Sequence, residues 1–131
     1  MARKVFISVL GTNDYIEAVY EINGKRANPA RFIQEALINE LYNDWKESDQ
    51  VIIFCTNKSE QKNWLDGGHE NNGDNKSIGL CSILSNLKEN GLKANVEHQI
   101  IDEGFTETEI WSVFDKIYSD SPQTHLIFLV Y

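Results

Sequence analysis

Lys4-Val5-Phe6-Ile7-Ser8-Val9-Leu10-Gly11-Thr12-Asn13-Asp14-Tyr15 is the stretch that decides the fold. Its first seven residues are mostly apolar and β-branched, the pattern of a strand buried on both faces, and such strands belong to parallel sheets. Gly11-Thr12-Asn13-Asp14 then breaks the run with a polar turn. Working outward, Gln50 to Cys55 is a continuous apolar strand, and Ala94 to Ile101 and Thr124 to Tyr131 read as two further strands. Between them the spacing becomes helical. Arg31 to about Trp45 puts Phe32, Ile33, Ala36, Leu37, Leu41 and Tyr42 on one face. Ser77 to Asn90 turns Leu80, Cys81, Leu84 and Leu87 inward, with Gly91 just past its end. A helix after Thr106 buries Ile110, Trp111, Phe114, Ile117 and Tyr118. Apolar strands alternating with amphipathic helices predict an α/β fold. Its central sheet is mainly parallel, its crossovers are right-handed, and helices cover both faces.

Shorter signals complete the pattern. Tyr15 to Ile22 alternates like a strand, Asn23-Gly24 is a two-residue hairpin signal, and Lys25-Arg26-Ala27 returns. That adds a β-hairpin near the N-terminus. Asn28-Pro29 supplies an N-cap and a first helical residue for the helix that follows. Thr56-Asn57-Lys58-Ser59 opens a helix carrying Asn63 and Trp64. Asp66 to Lys76 has no apolar side chain and reads as a mobile loop. Thr106-Glu107-Thr108-Glu109 is a capping box. No repeat or linker interrupts the chain, so residues 1–131 form a single domain.

Composition bounds the partners. The chain has 131 residues, 41% of them hydrophobic, which is enough for a packed core without a metal or disulfide staple. Twenty acidic residues against twelve basic give a net charge of −8, which argues against an open groove for duplex nucleic acid. The acid is uneven: residues 97–131 hold seven acidic and one basic, whereas residues 1–31 hold three acidic and five basic. The opening segment can therefore still hold a small anion on backbone amides. Cys55 and Cys81 sit in apolar runs and read as buried free thiols in a reducing compartment, with no partners at metal-ligand spacing. No metal and no cofactor is expected. No apolar run approaches a membrane span, and the expected location is the cytoplasm, away from membranes. The chain ends in mid-strand at Tyr131, as a fragment truncated at its C-terminal side would.

Sheets of this kind bind ligands outside the carboxyl ends of their strands. Three loops lie there. Gly11-Thr12-Asn13-Asp14-Tyr15 combines close backbone approach, short polar donors and an aromatic ring able to stack on a base; an ordinary turn has the same composition. Neither a P-loop nor a GxGxxG occurs. Thr56-Asn57-Lys58 reads equally as an N-cap with a solvated lysine or as amides and an ammonium offered to a phosphate. Asp102-Glu103-Gly104-Phe105 places two carboxylates at a strand end, for acid–base work, for Mg²⁺, or simply to cap the next helix. His69, His98 and His125 are scattered and suggest no triad. Trp45, Trp64 and Trp111 have core spacing, with Trp64 edging towards the site beside Asn63.

Several segments together resemble a known family: Lys4 to Tyr15, Arg31-Phe32-Ile33-Gln34-Glu35-Ala36-Leu37, Ile53-Phe54-Cys55-Thr56, Asn63-Trp64, and Glu103-Gly104-Phe105-Thr106-Glu107-Thr108-Glu109-Ile110-Trp111. In this order the chain is similar to the N-terminal region of CRISPR-associated proteins with a CARF (CRISPR-associated Rossmann-fold) domain. The branch concerned has a first strand ending in Leu-Gly-Thr-Asn. The resemblance implies a Rossmann-like three-layer sandwich that senses cyclic oligoadenylate, of tetra- or hexa-adenylate size, for type III CRISPR antiviral defence. It implies a homodimer with the ring across the two-fold axis, and an effector, fused or separate, outside this chain. A second ligand-facing loop of the family follows the point at which this chain stops. Gly11, Thr12, Asn13, Asp14 and Tyr15 would meet the ring, with Thr56, Asn57, Lys58, Glu103 and Gly104 on neighbouring loops. Some members also cleave the ring without metal, as a ribose 2′-hydroxyl attacks its own phosphate in line. Thr12, Asn13 and Lys58 are the candidates for that ring nuclease chemistry. Two other readings stand beside this one: a small α/β enzyme processing a nucleotide through Asp102 and Glu103, and a structural dimerisation domain.

Overall fold

The structure, a computed structural model, describes residues 3–22, 24–40, 44–69, 78–104, 106, 108–109, 111–112 and 115, together with the backbone of 124–130. Four strands make the main sheet: β1 (Arg3–Val9), β4 (Gln50–Cys55), β5 (Asn95–Ile100) and β6 (Thr124–Val130), in the order β5-β4-β1-β6. All neighbours run parallel. A separate antiparallel pair joins β2 (Glu21–Ile22) to β3 (Lys25–Arg26). Among the described residues, helices run over α1 (Ile33–Glu40), the short α2 (Asn57–Ser59) continued by a π-helical turn over Glu60–Trp64, and α3 (Leu80–Glu89), and Thr108, Glu109, Trp111, Ser112 and Asp115 are also helical. The expected α/β architecture with a parallel sheet and a hairpin is therefore present.

β1 pairs with β4 from Val5↔Gln50 to Val9↔Phe54, and β4 with β5 from Gln50↔Asn95 to Cys55↔Ile100. Phe6, Leu10, Val51, Ile53 and Cys55 pack with Phe32, Leu37 and Ile38 of the α1 region and Leu80 and Leu84 of α3. The alternate residues Val5, Ile7, Ile52 and Phe54 are buried as completely, so β1 and β4 are buried on both of their faces. Ser8 is the polar exception on β1. It accepts a 3.0 Å hydrogen bond from the Gln34 side-chain amide of α1, which removes the penalty of burying either group alone.

At the amino-terminal edge a single carboxylate aligns the strands. Asp49 is 1% exposed and accepts from the Lys4 amide at 2.7 Å and the Lys46 amide at 2.8 Å. Its own carbonyl accepts from the Asn95 amide at 3.0 Å, so one residue touches the starts of β1, β4 and β5. Trp45 closes this end by donating its indole N–H to the Ile38 carbonyl at 3.0 Å.

Three expectations need correction. The strand from Tyr15 to Ile22 is only Glu21–Ile22, with Ala18 bridged singly to Ala30. Ala27 N–H still reaches the Tyr20 carbonyl at 2.8 Å, but Pro29 has no N–H to carry a regular ladder on towards Ala18. Nor does Asn28-Pro29 start α1: Ala30 spends both its N–H and its C=O on Ala18, and the helix begins at Ile33. Trp111 is 37% exposed instead of core, whereas Trp45 and Trp64 are buried. Helical spacing identifies a common face but not how deeply each position on it lies. Leu41, Tyr42, residues 70–76 of the polar loop, and Ile110, Phe114, Ile117 and Tyr118 lie outside the described residues. Among the described residues no helix is long and apolar enough to cross a membrane.

Replacing Asp49 by alanine should destabilise the fold by about 2–4 kcal/mol, because two partly buried amides lose a charged, buried acceptor. Asp49→Asn, which keeps one acceptor oxygen, should cost less. Chemical denaturation of the three proteins checks the order, and equal midpoints would remove Asp49 from this role.

Candidate functional site

In a parallel sheet with these registers the loops after β1, β4 and β5 emerge at one edge. Leu10 N–H binds the Phe54 carbonyl at 2.9 Å and Ile101 N–H binds the Cys55 carbonyl at 2.8 Å, so the three exits are stitched together. β1 connects forward to β4 on one side while β6 lies on its other side. The Gly11–Tyr15 loop thus occupies the place where strand order reverses, the position at which open α/β sheets form a crevice.

The loop is folded around its own aromatic residue. A Cβ on Gly11 would fall 2.3 Å from the Tyr15 hydroxyl oxygen, so the residue at 11 has to be small for the phenol to close over it. The Tyr15 ring meets Phe32 edge-on at 5.9 Å and 69°. Its packing is therefore part of the core's rim. Asp14 pairs with Arg31 at 3.2 Å. Thr12 is half-buried and Asn13 exposed, and neither side chain has a hydrogen-bond partner among the described residues.

For the loop after β4, the structure shows the cap. The Thr56 hydroxyl accepts from Ser59 N–H at 3.1 Å while the Ser59 hydroxyl accepts from Thr56 N–H at 2.9 Å. This reciprocal box uses the Thr56 hydroxyl and both amides. Asn57 and Lys58 are exposed, and Lys58 has no partner among the described residues. Asp102, Glu103 and Gly104 are exposed in the turn after β5. β4 separates β5 from β1, so these residues sit roughly 10 Å to one side of the Gly11 loop at ordinary strand spacing. The structure brings Gly11–Tyr15 next to the Thr56–Lys58 loop, and leaves Glu103 and Gly104 at the sheet's edge. Among the described residues no three His, Cys, Asp or Glu side chains are grouped to hold a metal ion.

Arg31, Asp66 and His69 are additions that the sequence did not single out, and Asn63 proves central. Asn63 donates to the Gly11 carbonyl at 2.7 Å and to the Asn13 carbonyl at 3.0 Å. Arg31 reaches the Tyr15 carbonyl at 2.9 Å and the Ile78 carbonyl at 2.7 Å. Asp66 accepts from Gly79 N–H at 2.7 Å and from Ser82, neutralising the start of α3. That contact needs glycine at 79, where a Cβ would lie 2.3 Å from the Trp64 carbonyl oxygen. One signal was available: Arg31 places a cation just before a helix N-terminus, where the dipole disfavours it. On the far side of the π-helical turn, His98 stacks on Trp64 at 4.6 Å and its Nε2 lies 2.7 Å from the Glu60 carboxylate.

Beside the loop is an open cleft of about 340 Å³ lined by Glu17, Ala30, Arg31, Glu35, Ile78 and Ile83. Burial, and then the charge of Glu17, raise the Glu35 carboxyl above its usual range. A raised folded value means the folded state holds the proton more tightly, so this group's contribution is complete at low pH and is lost as pH rises. Glu35→Gln should raise the melting temperature at pH 7 and leave it unchanged below pH ~4. A melting series over pH checks the sign.

Burial pushes the Cys55 thiol up to about 12, against the opposing hydrogen bond to Ser59 and with help from the Glu60 charge. Cys81 is only half-buried, and neither cysteine is in a disulfide. Alkylation of the native protein at pH 7.5 should label Cys81 well before Cys55, at least tenfold faster, since the thiolate is the reactive form. Peptide mapping after timed labelling reads this directly.

No protein-family model and no curated protein matches this chain.

Proposed function

We propose that this chain is a CARF-like sensor domain that binds cyclic oligoadenylate at the carboxyl edge of its sheet. The observation that carries the reading is the position of Gly11–Tyr15, which belongs to one of the two segments that carry the resemblance to that family most specifically. It lies at the carboxyl end of β1, where strand order reverses, with the side chains of Thr12 and Asn13 free of partners among the described residues. An edge with this composition suits a phosphodiester ring, whose anionic groups need short donors more than a high net charge.

The finer architecture belongs to the same proposal. α1 and α3 pack on one face, and the strand order makes the crossover from β5 back to β6 run in the opposite direction. A right-handed crossover of that sense carries the helix begun at Thr106 to the other face, giving a Rossmann-like three-layer sandwich. The burial of Val5, Ile7, Ile52 and Phe54 on that face supports it. We further propose a homodimer, because a ring shared across a two-fold axis presents equal groups to each protomer. In this reading the ligand loop passes the signal to an effector domain or partner.

Calorimetry with cyclic tetra-adenylate and cyclic hexa-adenylate tests the proposal. One of the rings should bind, and Asn13→Ala should weaken it about tenfold, the value of one good hydrogen bond to a charged group. Absence of binding by both rings sinks the sensor reading. If the bound ring is cleaved, the products should form equally well in EDTA and carry a cyclic 2′,3′-phosphate. Cleavage that stops in EDTA would move the chemistry to Asp102 and Glu103.

A further inference from the structure

The Gly11–Tyr15 loop is held from behind by two side chains that come from distant parts of the chain. Asn63 is completely buried and uses every hydrogen-bonding position of its amide. Its nitrogen donates to the carbonyls of Gly11 and Asn13. Its oxygen accepts from Arg31 at 3.4 Å and faces His69 Nε2 at 3.2 Å. The orientation has no alternative, since rotating the amide would set its oxygen against two carbonyls and its nitrogen against a guanidinium. Arg31 is the second member. Its fork reaches the Tyr15 carbonyl, the Ile78 carbonyl and the Asp14 carboxylate as well as Asn63. Three of the five loop carbonyls, at 11, 13 and 15, are therefore drawn to the same two side chains.

We propose that Arg31 and Asn63 are positioning residues that preset the Gly11–Tyr15 loop for its ligand, an inference that rests on the ring-binding reading above. Neither touches the ring. Their contribution is to order five backbone residues before binding, so that the ligand does not bear that entropic cost. The division of labour is visible in the loop itself: main-chain carbonyls face the two positioning residues, while the Thr12 and Asn13 side chains make no bond among the described residues. Arginine is required in place of lysine because a point charge cannot satisfy four acceptors in different directions.

The test compares the full chain with Asn63→Ala and Arg31→Lys. The carbonyl ¹³C resonances of Gly11, Asn13 and Tyr15 are measured without ligand, and affinity for cyclic tetra- and hexa-adenylate by calorimetry. In Asn63→Ala the Gly11 and Asn13 resonances should move while those of Val51 and Ile52 stay, and affinity for the bound ring should fall about tenfold or more. Arg31→Lys should move the Tyr15 resonance and weaken binding less. It also carries the test if Asn63→Ala fails to fold. Unmoved loop resonances overturn the proposal, as do moved resonances with unchanged affinity. If the wild-type chain binds neither ring, the function reading fails separately, and the resonances alone decide whether these two residues set the loop.

Discussion

The register of β1 on β4 is the constraint on which the rest depends. Val5 opposite Gln50 and Val9 opposite Phe54 start the two strands together, so they also end together. Asp49 enforces this at the amino edge through the Lys4 amide, and through its own carbonyl it brings β5 into line. A slip of β1 by one residue would turn Phe6 away from α1 and α3 and strand Ser8 without Gln34. Because every main strand runs the same way, that register sends the polar ends of β1, β4 and β5 to a common edge. The candidate site is the consequence of this alignment.

The second constraint is polar satisfaction behind that edge. Helical structure after β4 does not continue as α-helix: Leu65 N–H reaches back five residues to the Glu60 carbonyl. The widened turn sets Asn63 against the loop after β1 while Trp64 enters the core and stacks on His98. π-helical turns of this kind are uncommon, and those that occur are frequently at functional sites. Here one turn ties the β1 loop to the edge strand β5, with Glu60 bound to His98 at its start. The loop that reads as the ligand contact is thereby part of the packed body instead of a free turn.

Much of the fold was legible because the relevant signals are local. Gln50–Cys55 is a strand in both readings, and Gly91 lies just beyond α3 with a positive φ of 116°. Thr56 is the N-cap that its position implies, and Asn23-Gly24 does precede a returning strand, with Gly24 at φ 77°. Tyr15 to Ile22 misled because alternation reports a possible strand, while a ladder also needs a partner with free N–H groups. Trp111 misled because periodicity fixes a face and leaves depth to the neighbours. At the site, Gly11 to Asn13 could be named from composition, but the contributions of Arg31 and Asn63 could not. Their bonds cross 16 to 52 residues of sequence, and no spacing rule links them.

By itself, then, the sequence determined the elements and their class: strands, with β1 and β4 apolar enough to be buried on both faces, amphipathic helices between them, and polar breaks at the strand ends. These follow from side-chain period and capping, which act over a few residues. Only the tertiary structure decided which strand ends become neighbours, which polar groups lose water together and must pair, and where a glycine must yield space to another segment's backbone. Asn63 illustrates the difference. An asparagine in a helical stretch is unremarkable until burial removes its water, and four particular partners then become the only way to satisfy it.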